Sequence, residues 1–441
     1  MTFKEDIPLN RQVIDSILDE LKVDLSTATI RKVAQVVAEI EKKLGARYLR
    51  MEFGIPGIEP HPIGIEAEIG ALRKPRVAGA YPDLVGIRPL KEEGSKFIKN
   101  FLNLDVSCEF VIPTVGAMQG TFLSQAIAGR AIEGKDKILF LDPSFAVYRT
   151  QIRFLGLREE SVDLYDRDQW LDRVDQICKG KDVAAIVFSS PSNPTWLILS
   201  EEELKRLGEI CNLYDVIAIE DSAYFGMDFR TDYSVPGEPP YPPTIARYCD
   251  YYVFILSFSK IFSYAGQRIA LTVLSPKLAE REYPGLQKKF GAPRFYDSFV
   301  WNGLYCTTSG VAHSAQHGVA ALLSKVNRGE LNFLRMVSVY GDRAKALKEM
   351  MFNHGFSSVY KDEADGFFFT FSYPGLTSGE LVRELLYYGV SATTLAISSS
   401  TRSEGVRGCS ALIGKEDFKL FESRIKVFRK DHPLSENKNG K

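Results

Sequence analysis

Tyr252–Arg268 reads YVFILSFSKIFSYAGQR: a short apolar run, then Ser257-Phe258-Ser259-Lys260, then Arg268 eight positions past the lysine. The run has the length of a strand and is apolar at every position, which predicts a strand buried on both faces. Lys137–Asp142 (KILFLD), Val183–Phe188 (VAAIVF), Val216–Glu220 (VIAIE) and Ile269–Leu274 (IALTVL) share this texture. Helical stretches separate the runs, one of them opened by the capping box Ser200-Glu201-Glu202-Glu203 and reaching about Tyr214. Strand and helix in alternation predict an α/β domain with a mostly parallel sheet, joined by right-handed crossovers and covered by helices on both faces.

Outside this region the pattern changes. Residues 26–45 predict an amphipathic helix, with Ser26 or Thr27 as cap, Ile30, Val33, Val37, Ile40 and Leu44 on one face, and Gly45 as stop. MEFGIPGIEPHPIG, Met51–Gly64, is too rich in glycine and proline to be anything but a loop. Leu331–Gly355 predicts a long charged helix and Gly366–Tyr373 (GFFFTFSY) a strand, so the C-terminal part reads as a smaller α+β domain. The expected division is 1–60 as an N-terminal helical part of the small domain, 61–327 as the large domain and 328–441 as the rest of the small one. The tail after Lys430 is polar and reads as frayed.

Length and charge narrow the function. The chain has 441 residues, 55 basic against 56 acidic side chains, and no basic stripe, which argues against nucleic-acid binding. Six scattered cysteines, without a CxxC pair or a nearby histidine, argue against a metal site and for a reducing compartment. No run of roughly 18 apolar residues is present to cross a bilayer and no signal peptide opens the chain, so a cytoplasmic protein is expected.

In open α/β sheets ligands sit beyond the carboxyl ends of the strands. VAAIVF is followed by Asn193-Pro194-Thr195-Trp196, VIAIE by Asp221-Ser222-Ala223-Tyr224, and YVFIL by Lys260 with Arg268 beyond. Each alone is ordinary: Asn-Pro makes turns, an aspartate caps helices, a lysine past a strand is solvated. Together they supply an amine that forms a Schiff base once desolvated, and a carboxylate able to keep a cofactor's ring nitrogen protonated.

The order and spacing of Asn193, Asp221, Tyr224, Lys260 and Arg268 resemble the aspartate aminotransferase family of fold type I pyridoxal phosphate (PLP) enzymes, from the FGIPG loop at Phe53–Gly57 to VRGCSAL near the C-terminus. The resemblance implies a seven-stranded sheet in the large domain and Lys260 as the catalytic residue carrying PLP as a Schiff base. It implies Asp221 on the ring nitrogen, and Asn193 and Tyr224 on the phenolic oxygen. Phosphate would be held by Ser257, Ser259, Arg268 and the segment Gly116-Ala117-Met118 before the helical run Phe122–Ile132. Phe145 would stack on the ring, Tyr81 would reach the phosphate from a neighbouring subunit of a homodimer, and Arg407, with Gly54 and Asn193, would bind the substrate carboxylate. The implied reaction is ping-pong transfer of an amino group between an amino acid and a 2-oxo acid. A carbon–sulfur or other lyase on the same fold is the alternative, and a regulatory protein with an aminotransferase-like domain a more distant one.

The chain departs from the family pattern at Trp196, where glycine is usual after Asn-Pro-Thr, at Ile261 in the lysine motif, and along Phe290–Ser309. Arg294 in that stretch is read as structural. RFYDSFVW, Arg294–Trp301, fits either an apolar substrate pocket or packing between subunits.

Overall fold

The structure, a computed structural model, describes residues 7–434. It comprises two compact units: one of Met1–Gly57, Asn193–Leu197 and Val339–Lys441, the other of Ile58–Ser192 and Ile198–Ser338. The breaks fall at Gly57 and Ser338, where residues 60 and 327 were expected. The later break has a packing cause, because Phe333 sits in an aromatic cluster of the larger unit with its ring centroid 5.6 Å from Phe97 and 5.1 Å from Phe101. The expected helix over Leu331–Gly355 is accordingly shorter, Val339–Phe352. Ahead of it, the Asn332 side chain accepts the N–H groups of Leu334 and Arg335 and makes a turn instead.

The larger unit is built on seven strands: β1 Val111–Thr114, β2 Lys137–Asp142, β3 Arg158–Asp163, β4 Val183–Phe188, β5 Ile217–Ser222, β6 Tyr252–Ser257 and β7 Ala270–Leu274. Their spatial order is β1-β7-β6-β5-β4-β2-β3, with β7 antiparallel to both neighbours and the rest parallel. This is the mostly parallel seven-stranded sheet the sequence led us to expect. The apolar-run criterion found five of these strands and missed β1 and β3. β3 (REESVD) is an edge strand exposed along most of its length, so its polar side chains are solvated and it carries no apolar signal. The helix Gly116–Ala131 buries Leu123, Ile127 and Ala128 in the core cluster that also holds Ile138, Phe140 and Ile255 of the sheet.

In the smaller unit, Ile30–Leu44 is a helix whose N-terminus is capped by Thr29, with Gly45 left-handed at its end. Ser26 and Thr27, the expected caps, instead hydrogen-bond Asp24 in the preceding turn. Phe368–Phe371, Val406–Cys409 and Thr393–Thr394 form a three-stranded antiparallel sheet, with Arg407 opposite Thr370. Phe290–Ser309, in the larger unit, is made of short helices around a π-helix at Ser298–Leu304. Among the described residues no helix is long and apolar enough to cross a membrane.

The FGIPG loop is fixed against the smaller unit. Gly57 donates its N–H to the Tyr340 hydroxyl at 3.1 Å, and a Cβ at Gly57 would overlap the Ala411 carbonyl oxygen. Backbone cannot give way as a side-chain tip can, so Gly57→Ala is expected to destabilise the protein by roughly 1–3 kcal/mol. A thermal melt unchanged from the parent would contradict this.

Candidate active site

In the larger unit the expected residues fall at the carboxyl ends of adjacent strands. β5 runs two residues further than the sequence suggests, because Asp221 and Ser222 continue the pairing opposite Ile255 and Leu256 of β6. Asp221 is therefore a strand residue, 5 % exposed. Its Oδ2 accepts the Tyr148 hydroxyl at 2.7 Å, while its Oδ1 is buried with no hydrogen-bond partner. Burial raises the Asp221 pKa to about 6, opposed by the Tyr148 hydroxyl and the Ala223 N–H. The preceding acid, Glu220, is also buried, but its Oε2 accepts both the Thr244 hydroxyl (2.7 Å) and the Ile245 N–H (3.1 Å).

Tyr148 escaped the sequence reading. It lies three residues after Phe145, at the start of the helix Val147–Leu155, and its ring meets Phe145 edge-on at 5.5 Å. The turn that carries both aromatics is tied down by Arg149, whose Nη1 and Nη2 donate to the two oxygens of Asp142 at 3.0 and 2.5 Å. The only signal in the sequence was the helical spacing of two aromatics in DPSFAVY. Tyr224, just past β5, is buried.

β6 ends at Ser257, which caps the one-turn helix Phe258–Ile261 by accepting the Ser259 N–H at 3.3 Å. Lys260 lies in that turn, partly buried. Arg268, left-handed at φ 52°, ends the same loop and donates from Nη1 to the Ala265 carbonyl at 2.9 Å. A Cβ on Gly116 would lie 2.6 Å from Arg268 Nη2, so glycine at 116, with φ +67°, leaves room for the guanidinium at the start of the helix. That helix begins at Gly116, six residues before the run starting at Phe122 that the sequence suggested. The Ala117 and Met118 N–H groups thus lie in its first turn, where no intrahelical carbonyl is available, and no side chain caps this end. An arginine and free helical N–H groups together suit a phosphate.

Tyr81 is 89 % exposed. Arg294 pairs with Asp297, Nε to Oδ2 at 2.6 Å and Nη2 to Oδ1 at 3.1 Å.

The smaller unit holds Asn193, Gly54 and Arg407. Arg407 is 3 % exposed, donates from Nη2 to the Glu52 carbonyl at 2.5 Å and from Nη1 to Asn193 Oδ1 at 3.3 Å, and lies over the Phe368 ring with Cζ 4.6 Å from its centroid. A Cβ on Gly54 would come within 2.8 Å of the same ring. Phe368 entered the sequence reading only as part of a strand. Among the described residues no group of three or more His, Cys, Asp or Glu side chains is placed to hold a metal.

The raised pKa of Asp221 makes stability depend on pH in ligand-free protein. Its folded pKa, about 6, exceeds the unfolded value of ~3.9. The native state therefore binds more protons between those limits, and stability falls as pH rises through that window, by on the order of 3 kcal/mol in full. Asp221→Asn removes this penalty. Ligand-free Asp221→Asn is expected to melt higher than the parent above about pH 6, with the gap closing toward about pH 4. Equal melting temperatures across the range would contradict the assignment.

The sequence profile of the aminotransferase class I and II family matches residues 64–417. A probable aspartate aminotransferase of Methanocaldococcus jannaschii is 31% identical over 194 residues, 44% of this chain and 48% of the relative. An aspartate aminotransferase of Pyrococcus horikoshii is 27% identical over 200 residues, 44% of this chain and 47% of the relative. The chain thus spans about half the length of these two curated relatives. Among solved structures, aspartate aminotransferase of Thermotoga maritima superposes with a TM-score of 0.74 at 21% identity, covering 93% of this chain and 98% of that one. The residues present fit the family's cofactor. Asp221 offers a bare buried oxygen to a cationic ring nitrogen, and Gly116 clears a cradle between Arg268 and a helix N-terminus that suits a phosphate. The chain belongs to the aminotransferase class I and II family, whose members depend on pyridoxal phosphate.

Proposed function

We propose that this protein is a transaminase, moving an amino group between an amino acid and a 2-oxo acid in two half reactions. The observation that carries this reading is Asp221, a buried carboxylate with one oxygen bound and one bare, on the strand next to the one that leads into Lys260. Pyridoxal phosphate supplies an electron sink for the bonds at the substrate Cα. Asp221 keeps the proton on the ring nitrogen, and Tyr148 holds Asp221 in place. Lys260 would hold the cofactor through its amine and would move the proton at the substrate Cα. Tyr224 and Asn193 hydrogen-bond the phenolic oxygen, and Phe145 packs on the ring. Ser257, Ser259, Arg268 and the N–H groups of Gly116, Ala117 and Met118 hold the phosphate. Arg407 takes the substrate α-carboxylate with its paired donors, beside Gly54.

The working unit in this reading is a homodimer in which Tyr81 serves the second copy's phosphate, a role its 89 % exposure in the single chain supports. The domains would be a large PLP-binding one and a smaller one from both ends of the chain. The six cysteines form no disulfide among the described residues, which supports a cytoplasmic location.

Holoenzyme mixed with an amino acid alone is expected to change its visible absorbance, and a 2-oxo acid to reverse the change. Failure of every amino donor in a full panel would contradict the proposal, and ammonia release without an oxo acid would point to elimination instead. Lys260→Ala should lose the visible absorbance while still holding the cofactor non-covalently through the phosphate. A borohydride-reducible linkage in that variant would overturn the lysine assignment.

A further inference from the structure

Trp196 is 0 % exposed and has a φ of +58°, a backbone conformation disfavoured for any large side chain and kept only where the surroundings impose it. Its indole occupies space that exists because residue 366 is glycine: a Cβ on Gly366 would overlap the indole ring. The indole meets the Phe368 ring at 6.1 Å, at an interplanar angle of 68°. Gly54 closes on the same ring, and the Arg407 guanidinium lies over it. Phe368 is itself 0 % exposed and so has no freedom to turn. The segment that places Trp196 also places Asn193, whose Oδ1 accepts from Arg407 Nη1. An amide oxygen, the Glu52 carbonyl and an aromatic face thus help to orient the Arg407 guanidinium.

We propose that Phe368, braced by Trp196, is the positioning residue that aims Arg407 at the substrate carboxylate. The proposal rests on the reading of Arg407 as the carboxylate-binding arginine. Trp196 then has a role of its own: it fixes the ring on which the arginine rests.

Propionate, a skeleton contained in most amino-acid donors, is the probe, with its dissociation constant from holoenzyme read by broadening of its proton resonances. Phe368→Leu is expected to raise that constant on the order of tenfold, as loss of a desolvated cation–π contact does. It should raise KM for the amino donor in parallel while kcat stays within about twofold, because the contact serves binding in the ground and transition states alike. Trp196→Phe, which keeps the Phe368 ring but loosens its brace, is expected to raise the propionate constant about threefold, a smaller share of the same contact. Arg407→Met separates the two claims. Propionate binding absent from the parent, or retained in Arg407→Met, overturns the reading of Arg407. Binding lost in Arg407→Met but unchanged in Trp196→Phe, or in folded Phe368→Leu, overturns the positioning role and leaves Arg407 standing. Equal falls in kcat and kcat/KM with an unchanged dissociation constant also overturn it.

Discussion

A carboxylate buried at the end of a strand, with a phenol and a backbone N–H as its only polar support, is expensive to fold, and burial answers the expense by pushing the Asp221 pKa up to about 6. At neutral pH the group is still mostly ionised, so the folded protein carries an uncompensated negative charge until a cation arrives. The surrounding structure tolerates this because Asp221 is locked between its strand pairing and Tyr148, which Arg149 and Asp142 in turn hold. A protonated ring nitrogen bound there would relieve the penalty, so that cofactor affinity and ligand-free instability would share one origin. The other parts of the larger unit's site follow from the same sheet: Lys260 follows the neighbouring strand, and Arg268 ends the loop that starts there.

The two arginines proposed to bind anions are placed by small and aromatic residues. Arg268 has its space because Gly116 lacks a Cβ, and Arg407 rests on a ring against which Gly54 also packs. In both cases carbonyls or a π face help to orient the guanidinium. Arg294 is instead paired with a carboxylate, that of Asp297 three residues on.

Much of this was legible in the sequence because burial writes itself as apolar runs. Five of the seven strands had such runs, and polar residues singled out behind them lie at or just beyond the strands' carboxyl ends. β3 was not legible, because an edge strand in solvent needs no apolar side chains. Tyr148 and Phe368 were not legible for the opposite reason: aromatic residues are buried as a matter of course, and only three-dimensional contacts distinguish one that holds a functional carboxylate or arginine from one that fills the core. Trp196 was visible as a departure, yet what it displaces is set by Gly366, some 170 positions along the chain. The break at Ser338 depended likewise on Phe333 docking among distant rings.

The central claim is that the bare oxygen of Asp221 awaits a cationic ring nitrogen. The most direct measurement is the 15N chemical shift of ring-labelled pyridoxal phosphate bound to the protein, followed from neutral into mildly alkaline pH in the parent and in Asp221→Asn. A pyridinium-like shift that does not titrate in the parent, and moves to that of a neutral ring in Asp221→Asn, is the predicted result. A neutral-ring shift in the parent at neutral pH would contradict the account.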